Sequence, residues 1–270
     1  MSETTTIDGS EGAVSVHAWD DDPQPRRIVL LAHGYGEHAG RYAHVADALV
    51  ARGAAVFAPD HLGHGESDGE RAEVTDFEHV VDDLHAVADL ARERHPELPL
   101  VLIGHSMGGL VAARFAQRYR AELAGLVLSG PAIGLSAVIT DWLGAAEIPD
   151  VPIDVSVLSR DPAVGEAYAS DPLVYHGGWK RPTLQAFVAA DEAIEAAGGF
   201  GDLPVYYVHG EADALVPIVL ARPFVERLAG DDFTERLVPE ARHEVFNETD
   251  KDETIGLVAD FVDRVSDGPV

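Results

Sequence analysis

Short, continuous apolar runs recur along this chain, separated by stretches of helical period. The runs are "RIVLLAHG" (Arg27–Gly34), "GAAVFAPD" (Gly53–Asp60), "LPLVLIGH" (Leu98–His105), "AGLVLSGP" (Ala124–Pro131) and "LPVYYVHG" (Leu203–Gly210). A strand apolar on successive residues has no polar face to turn to water, so it must be covered on both sides. The intervening stretches supply that cover. "YAHVADALVARG" (Tyr42–Gly53) ends on a glycine stop, and "DFEHVVDDLHAVADLARERHP" (Asp76–Pro96) puts Phe77, Val80, Val81, Leu84, Val87, Ala88 and Ala91 on one face. Further helices are predicted over Leu110–Tyr119, Leu184–Ala197, Ile218–Leu228 and Asp252–Val265. Strands alternating with helices define an α/β fold with a mostly parallel central sheet flanked by helices. "AVSVHAWD" (Ala13–Asp20) alternates instead and is predicted to be a half-buried edge strand.

One stretch breaks the rhythm. After Pro131, about 70 residues precede the next clear strand at Val205, too many for an ordinary connection. The stretch is rich in Pro and Asp yet carries Trp142, Leu143, Ile148, Val151, Ile153, Val155 and Leu158. It reads as an inserted cap over the carboxyl ends of the strands. The expected organisation is a core of residues 1–131 and 200–270, with 132–199 forming the cap and its connecting helix. The cap's apolar residues either form a small core of their own or line an apolar entrance for substrate.

Charge narrows the partners. There are 19 Lys and Arg against 47 Asp and Glu, a net charge of −28, and the only lysines are Lys180 and Lys251. Such a field repels polyanions, which argues against nucleic acid and anionic lipid as partners. It fits either adaptation to high salt or an arginine-preferring acidic protein, and stability measured against salt concentration separates the two. The chain has no cysteine, so it holds no disulfide, thiol nucleophile or Cys-based zinc site. Its start, "MSETTTIDGSEG", lacks the basic and apolar regions of a signal peptide, and its apolar runs are too short to span a bilayer. A cytoplasmic location is expected.

The run at Leu98–His105 ends in Gly104-His105-Ser106-Met107-Gly108, a G-x-S-x-G sequence, with a predicted helix directly after it. In that context the serine occupies a tight strand-to-helix turn with its hydroxyl held out at the tip of the sheet. A side chain at 104 or 108 would collide with neighbouring backbone. The Met107 N–H, at the helix N-terminus, points where an oxyanion would form.

A neutral serine is a weak nucleophile and needs a base, which in turn needs an orienting acid. In this architecture both follow the serine, acid before base. Asp213 lies in "HGEADALVP", just past a strand end, with Glu211 as the alternative in the same loop. The loop after Ala124–Ser129, "SGPAIG", holds no carboxylate, which favours Asp213. His176, His209 and His243 are the histidines beyond the serine. His209 precedes the acid and His176 falls in the cap, so His243, late in "PEARHEVFNE", is the expected base. The second oxyanion donor is expected from "LLAHGYGEHAGRY", where Gly34 allows close backbone passage and the Tyr35 N–H can point inward. His33 reads as a hydrogen-bonding pin for that loop. His61 and His64 have H-x-x-H spacing, but they sit in a glycine-containing loop without a recognisable ligand set. Asp60, His64 and Ser67 are read as stitching that loop to its neighbours.

Taken in order, "HGYGEHAGRY", "DHLGHGESDG", "GHSMGG", "SDPLVYHGG", "VHGEADALVP" and "RHEVFNE" resemble the monoacylglycerol lipase family of α/β-hydrolases, related to lysophospholipases, from about residue 27 to 262. The resemblance implies a capped α/β-hydrolase fold, no cofactor, and hydrolysis of a small lipid ester of glycerol. It places the nucleophile at Ser106, the acid at Asp213, the base at His243 and the oxyanion N–H groups at Tyr35 and Met107. In the cap it matches only around "SDPLVYHGG". It leaves room for weak membrane contact through the cap, as in relatives. The alternatives are a lysophospholipase or another carboxylesterase, thioesterase or amidase on the same scaffold, and a hydrolase-shaped binding protein without turnover. A substrate panel separates the first group, and covalent labelling of Ser106 the second.

Overall fold

The computed structural model of the chain describes residues 3–145, 148 and 152–267. Eight strands form one sheet: β1 (Glu3–Asp8), β2 (Ala13–Trp19), β3 (Arg27–Ala32), β4 (Ala54–Pro59), β5 (Leu100–His105), β6 (Gly125–Ser129), β7 (Val205–Gly210) and β8 (Phe233–Val238). Their order across the sheet is β1-β2-β4-β3-β5-β6-β7-β8. From β4 to β8 every pairing is parallel, while β2 runs antiparallel to both β1 and β4.

The apolar runs sort by the period-two rule. Ile28, Leu30 and Ala32 of β3 face one core, and Val29 and Leu31 face the other. The first core is covered by α2 (Phe77–Arg94), α3 (Met107–Arg118), α6 (Arg181–Ala197) and α7 (Ile218–Leu228). The second is covered by α1 (Ala43–Val50) and α8 (Lys251–Ser266). All seven residues assigned to the apolar face of α2 are buried. The helix starts on Asp76, whose carboxylate accepts the Glu78 N–H. Arg27, 1% exposed, is paired with Asp263 and Asp267, fastening the end of α8 to the start of β3. Among the described residues no helix is long and apolar enough to cross a membrane.

Three strands depart from the sequence reading. Ala13–Trp19 is not an edge strand, because β1 lies outside it in a hairpin running from Glu3↔Ala18 to Asp8↔Ala13. The segment "ETTTID" has one large apolar residue, so hydropathy gives it no signal; its β-branched threonines pair readily in a ladder exposed to water. With β1 beside it, β2 keeps most of its residues buried rather than alternating. At the other edge, β8 reads "FTERLV", too polar to stand out among the apolar runs.

Between β6 and β7 lie α4 (Ser136–Leu143), a short 3-10 turn at Val155–Val157, α5 (Pro162–Ser170) and α6. The N-terminus of α4 is held from α6. Buried Asp191 accepts hydrogen bonds from the N–H groups of Gly134, Leu135 and Ser136 and from the Ser136 hydroxyl. Leu158, Tyr168 and Val174 form a small separate cluster, with Ile153, Val155 and Leu215 packed against it. Leu143 and Ile148 join the main core instead. Val151, expected in the same apolar set, lies outside the described residues.

Candidate active site

Ser106 joins β5 to α3 with φ 53° and ψ −119°, a conformation that L-residues avoid and that costs about 1–3 kcal/mol. The surroundings force it. A Cβ on Gly104 would lie 2.2 Å from the Gly108 carbonyl oxygen, and one on Gly108 would lie 2.1 Å from the Ala32 carbonyl oxygen. Strand and helix can therefore cross this closely only as glycine backbone. The turn is locked by its own peptide groups: Ser106 N–H donates to Ser129 O at 2.9 Å, and Ser106 O accepts the Ala132 N–H at 2.9 Å.

Asp213 follows β7 and is 7% exposed. One of its oxygens accepts the N–H groups of Leu215 and Val216, both at 2.9 Å. The other accepts from His243 Nδ1 at 2.7 Å and from His209 Nε2 at 3.0 Å. Glu211, the alternative acid, is exposed at the surface. With the His243 proton held on Nδ1, Nε2 is left as an acceptor, the state in which an imidazole can take a proton from a hydroxyl. Ser106 and His243 line the same cavity of about 220 Å³.

Electrostatics favour this arrangement. Burial alone would push the Asp213 carboxyl up, but the His243 charge and the hydrogen bonds from both histidines hold it well below the usual carboxylate range. Burial would lower His243, yet Asp213 outweighs it and raises the imidazole above its ordinary value. His105, whose ring centroid lies 4.7 Å from that of His243, is pushed down to about 3 by burial and by the neighbouring imidazole, so it stays neutral. A base must be unprotonated, so activity should fall as pH drops through the raised His243 value. The acid limb of kcat/KM is expected to inflect above the free-histidine value of about 6.5. A pH–rate profile checks this, and an inflection at or below that value contradicts it.

The loop after β3 is fixed from several sides. His33 donates from Nδ1 to Gly34 O at 2.8 Å and accepts the His61 N–H on Nε2 at 2.9 Å. Asp60 accepts the Ala39 and Glu66 N–H groups, Ser67 donates to Asp60 O, and His64 Nδ1 donates to Leu62 O. The Tyr35 ring stacks on Trp179 with centroids 4.5 Å apart, and Tyr175 N–H donates to Gly36 O. These contacts leave the N–H groups of Tyr35 and Met107 without a backbone hydrogen bond among the described residues. His61 and His64 are buried and held down to about 3 and 4, chiefly by burial. Among the described residues no group of three or more His, Cys, Asp or Glu is arranged to hold a metal ion.

The cavity wall is mostly apolar, including Ile139, Trp142, Leu158, Leu184, Phe187 and Leu220. Trp142 is nonetheless 43% exposed. Leu158 of the β6–β7 connection both packs in the small cluster and faces the cavity. That connection is tied to the His243 loop by backbone. His243 and Glu244 N–H groups donate to Val157 O and Leu158 O, Ser159 Oγ donates to Asn247 O, and Arg160 pairs with buried Glu248. His176 is exposed, does not line the cavity, and is bonded to Asp171 O.

Four residues at the site were not anticipated: His209, Glu37, Arg41 and Glu244. His209 is sandwiched between the Tyr207 hydroxyl and Asp213. Glu37 and Arg41 carried the signal of an i,i+4 pair, and Glu244 that of adjacency to His243.

A hydroxyl on a strained strand-to-helix turn, above a parallel sheet and sharing a cavity with a carboxylate-bound imidazole, defines a serine hydrolase of the α/β-hydrolase fold. The chain belongs to the family described as serine aminopeptidase, S33, whose model matches residues 23–250. A monoacylglycerol lipase of Mycolicibacterium smegmatis is 39% identical over 242 residues, 86% of this chain and 86% of the relative. The monoglyceride lipase of Homo sapiens is 33% identical over 240 residues, 85% of this chain and 79% of the relative. Among solved structures, the monoacylglycerol lipase of Paleococcus ferrophilus is 27% identical with a TM-score of 0.78, covering 94% of this chain and 99% of its own.

Proposed function

We propose that the protein hydrolyses monoacylglycerols to glycerol and free fatty acid through an acyl-enzyme on Ser106. The observation that carries this reading is the Asp213–His243 hydrogen bond at 2.7 Å, on a cavity whose remaining wall is suited to an acyl chain. His243 takes the Ser106 proton as the hydroxyl attacks the ester carbonyl. The N–H groups of Tyr35 and Met107 hold the tetrahedral oxyanion, and removing one such donor typically costs 10²–10³ in turnover. The imidazolium then protonates the departing glycerol, and the imidazole activates water against the acyl-enzyme. Asp213 keeps the ring in the required tautomer and stabilises its charged form. Residues 132–199 act as a cap that carries much of the acyl-chain wall. The monoacylglycerol lipases among the relatives support the choice of substrate.

The test is a substrate panel on the purified protein: monoacylglycerols of graded chain length, lysophospholipids, acyl-thioesters and peptide amides. The expected result is highest kcat/KM on monoacylglycerols. Preference for peptide amides or acyl-thioesters overturns the substrate assignment. Failure of a fluorophosphonate probe to label Ser106 overturns the catalytic one.

A further inference from the structure

The cavity is flanked by a buried charged group that acyl transfer does not use directly. Glu37 is 3% exposed and Glu244 is 4% exposed; both reach the cavity surface, and Arg41 lies between them. One Glu37 oxygen accepts the Gly34 N–H and the Tyr42 hydroxyl, each at 2.6 Å. The other meets Arg41 Nη1. Arg41 then forks onto Glu244, Nη1 to Oε1 at 2.8 Å and Nη2 to Oε2 at 2.7 Å, with its guanidinium 4.9 Å from the centre of the Tyr168 ring. Glu244 is fixed in turn by its N–H to Leu158 O and by the Asn247 amide.

Stability is a weak reason for this group. Two carboxylates and one guanidinium taken out of water carry a desolvation penalty, and apolar side chains of similar volume often serve a core as well. Its geometry has a clearer consequence. One end holds the N–H of Gly34, the residue before Tyr35 in the oxyanion loop. The other end is Glu244, the residue after His243. No strand pairing joins these loops directly, since β3 and β8 are separated by other strands of the sheet.

We propose that Glu37, Arg41 and Glu244 form a positioning bridge that sets the separation of the oxyanion loop from the His243 loop, with Arg41 as its central member. This rests on the catalytic reading above. Arg41 Nη1 and Nη2 are directed to the two carboxylates and its face is covered by Tyr168, so it acts through other residues rather than on the substrate. A fork on a carboxylate is geometry that a lysine ammonium cannot reproduce.

The experiment compares wild type with Arg41→Met and with the uncharged triple variant Glu37→Gln/Arg41→Met/Glu244→Gln. Each is assayed on a monoacylglycerol and on the p-nitrophenyl ester of the same fatty acid. Fluorophosphonate titration normalises the rates to competent serine. A misplacement of about 1 Å between the two loops should lower kcat roughly 10²-fold on both esters alike, with KM little changed. In Arg41→Met the acid limb should also move to higher pH. The groups facing His243 are Asp213, Glu244, Glu37 and neutral His105, with His209 behind Asp213, and removing Arg41 leaves the two glutamates unbalanced. If Arg41→Met does not fold, the triple variant, which buries no lone charge, decides on its kcat alone. A loss confined to the monoacylglycerol would mean that Arg41 contacts glycerol and would overturn the bridge. So would unchanged kcat on both esters. A wild type that neither labels nor turns over defeats the catalytic reading instead.

Discussion

Replacing Ser106 with alanine should abolish fluorophosphonate labelling and lower kcat on monoacylglycerols by about 10⁶-fold, the scale seen when a triad nucleophile is removed. Without the hydroxyl, water must attack the ester directly, and only binding and the oxyanion N–H groups remain to assist, which leaves a residual 10³–10⁴ over water. The fold should be unaffected, because alanine keeps the same Cβ at φ 53° and the turn is locked by backbone hydrogen bonds. Kinetics alongside thermal melting checks both halves. Turnover within tenfold of wild type, from a protein that melts normally, would remove Ser106 from the mechanism.

Asp213→Asn should lower kcat by about 10⁴-fold, and the reason is directional. The N–H groups of Leu215 and Val216 point at one carboxylate oxygen, so an asparagine must place its own oxygen there. Its NH₂ then faces His243 Nδ1, which can only accept. The His243 proton is driven to Nε2, where the ring can no longer take one from Ser106. The same substitution removes the charge that raises His243, so the residual activity should titrate at lower pH than wild type. His209 Nε2, which donates to the same carboxylate oxygen and to Val216 O, keeps only the second of these acceptors in that arrangement. Measurement of kcat across pH checks the prediction, and a loss smaller than tenfold would point to another acid.

What could be read from the chain beforehand follows physical lines. Runs such as Ile28–Ala32 announce themselves because burial on both faces demands unbroken apolar sequence. Strands at the two rims, β1 and β8, do not, because water satisfies one of their faces and their composition is that of a loop. The turn at Ser106 is local, so its glycine spacing carries the geometry. Asp213 and His243 are distant in sequence; chain order and loop position pointed to them, with Glu211 left as an alternative acid, and the structure brings Asp213 and His243 into hydrogen-bond contact. Glu37, Arg41 and Glu244 escaped because a buried ion group is defined by spatial convergence of loops, and its members look like surface charges in a chain this acidic.

The backbone tie between residues 157–158 and 243–244 bears on how such molecules can be recombined. Transplanting the segment between β6 and β7 from a relative with another chain-length preference is not a modular operation. The foreign loop would also supply the carbonyls on which the imidazole-bearing loop hangs. A chimera is therefore expected to inherit a displaced base unless the stretch through Glu248 travels with the graft.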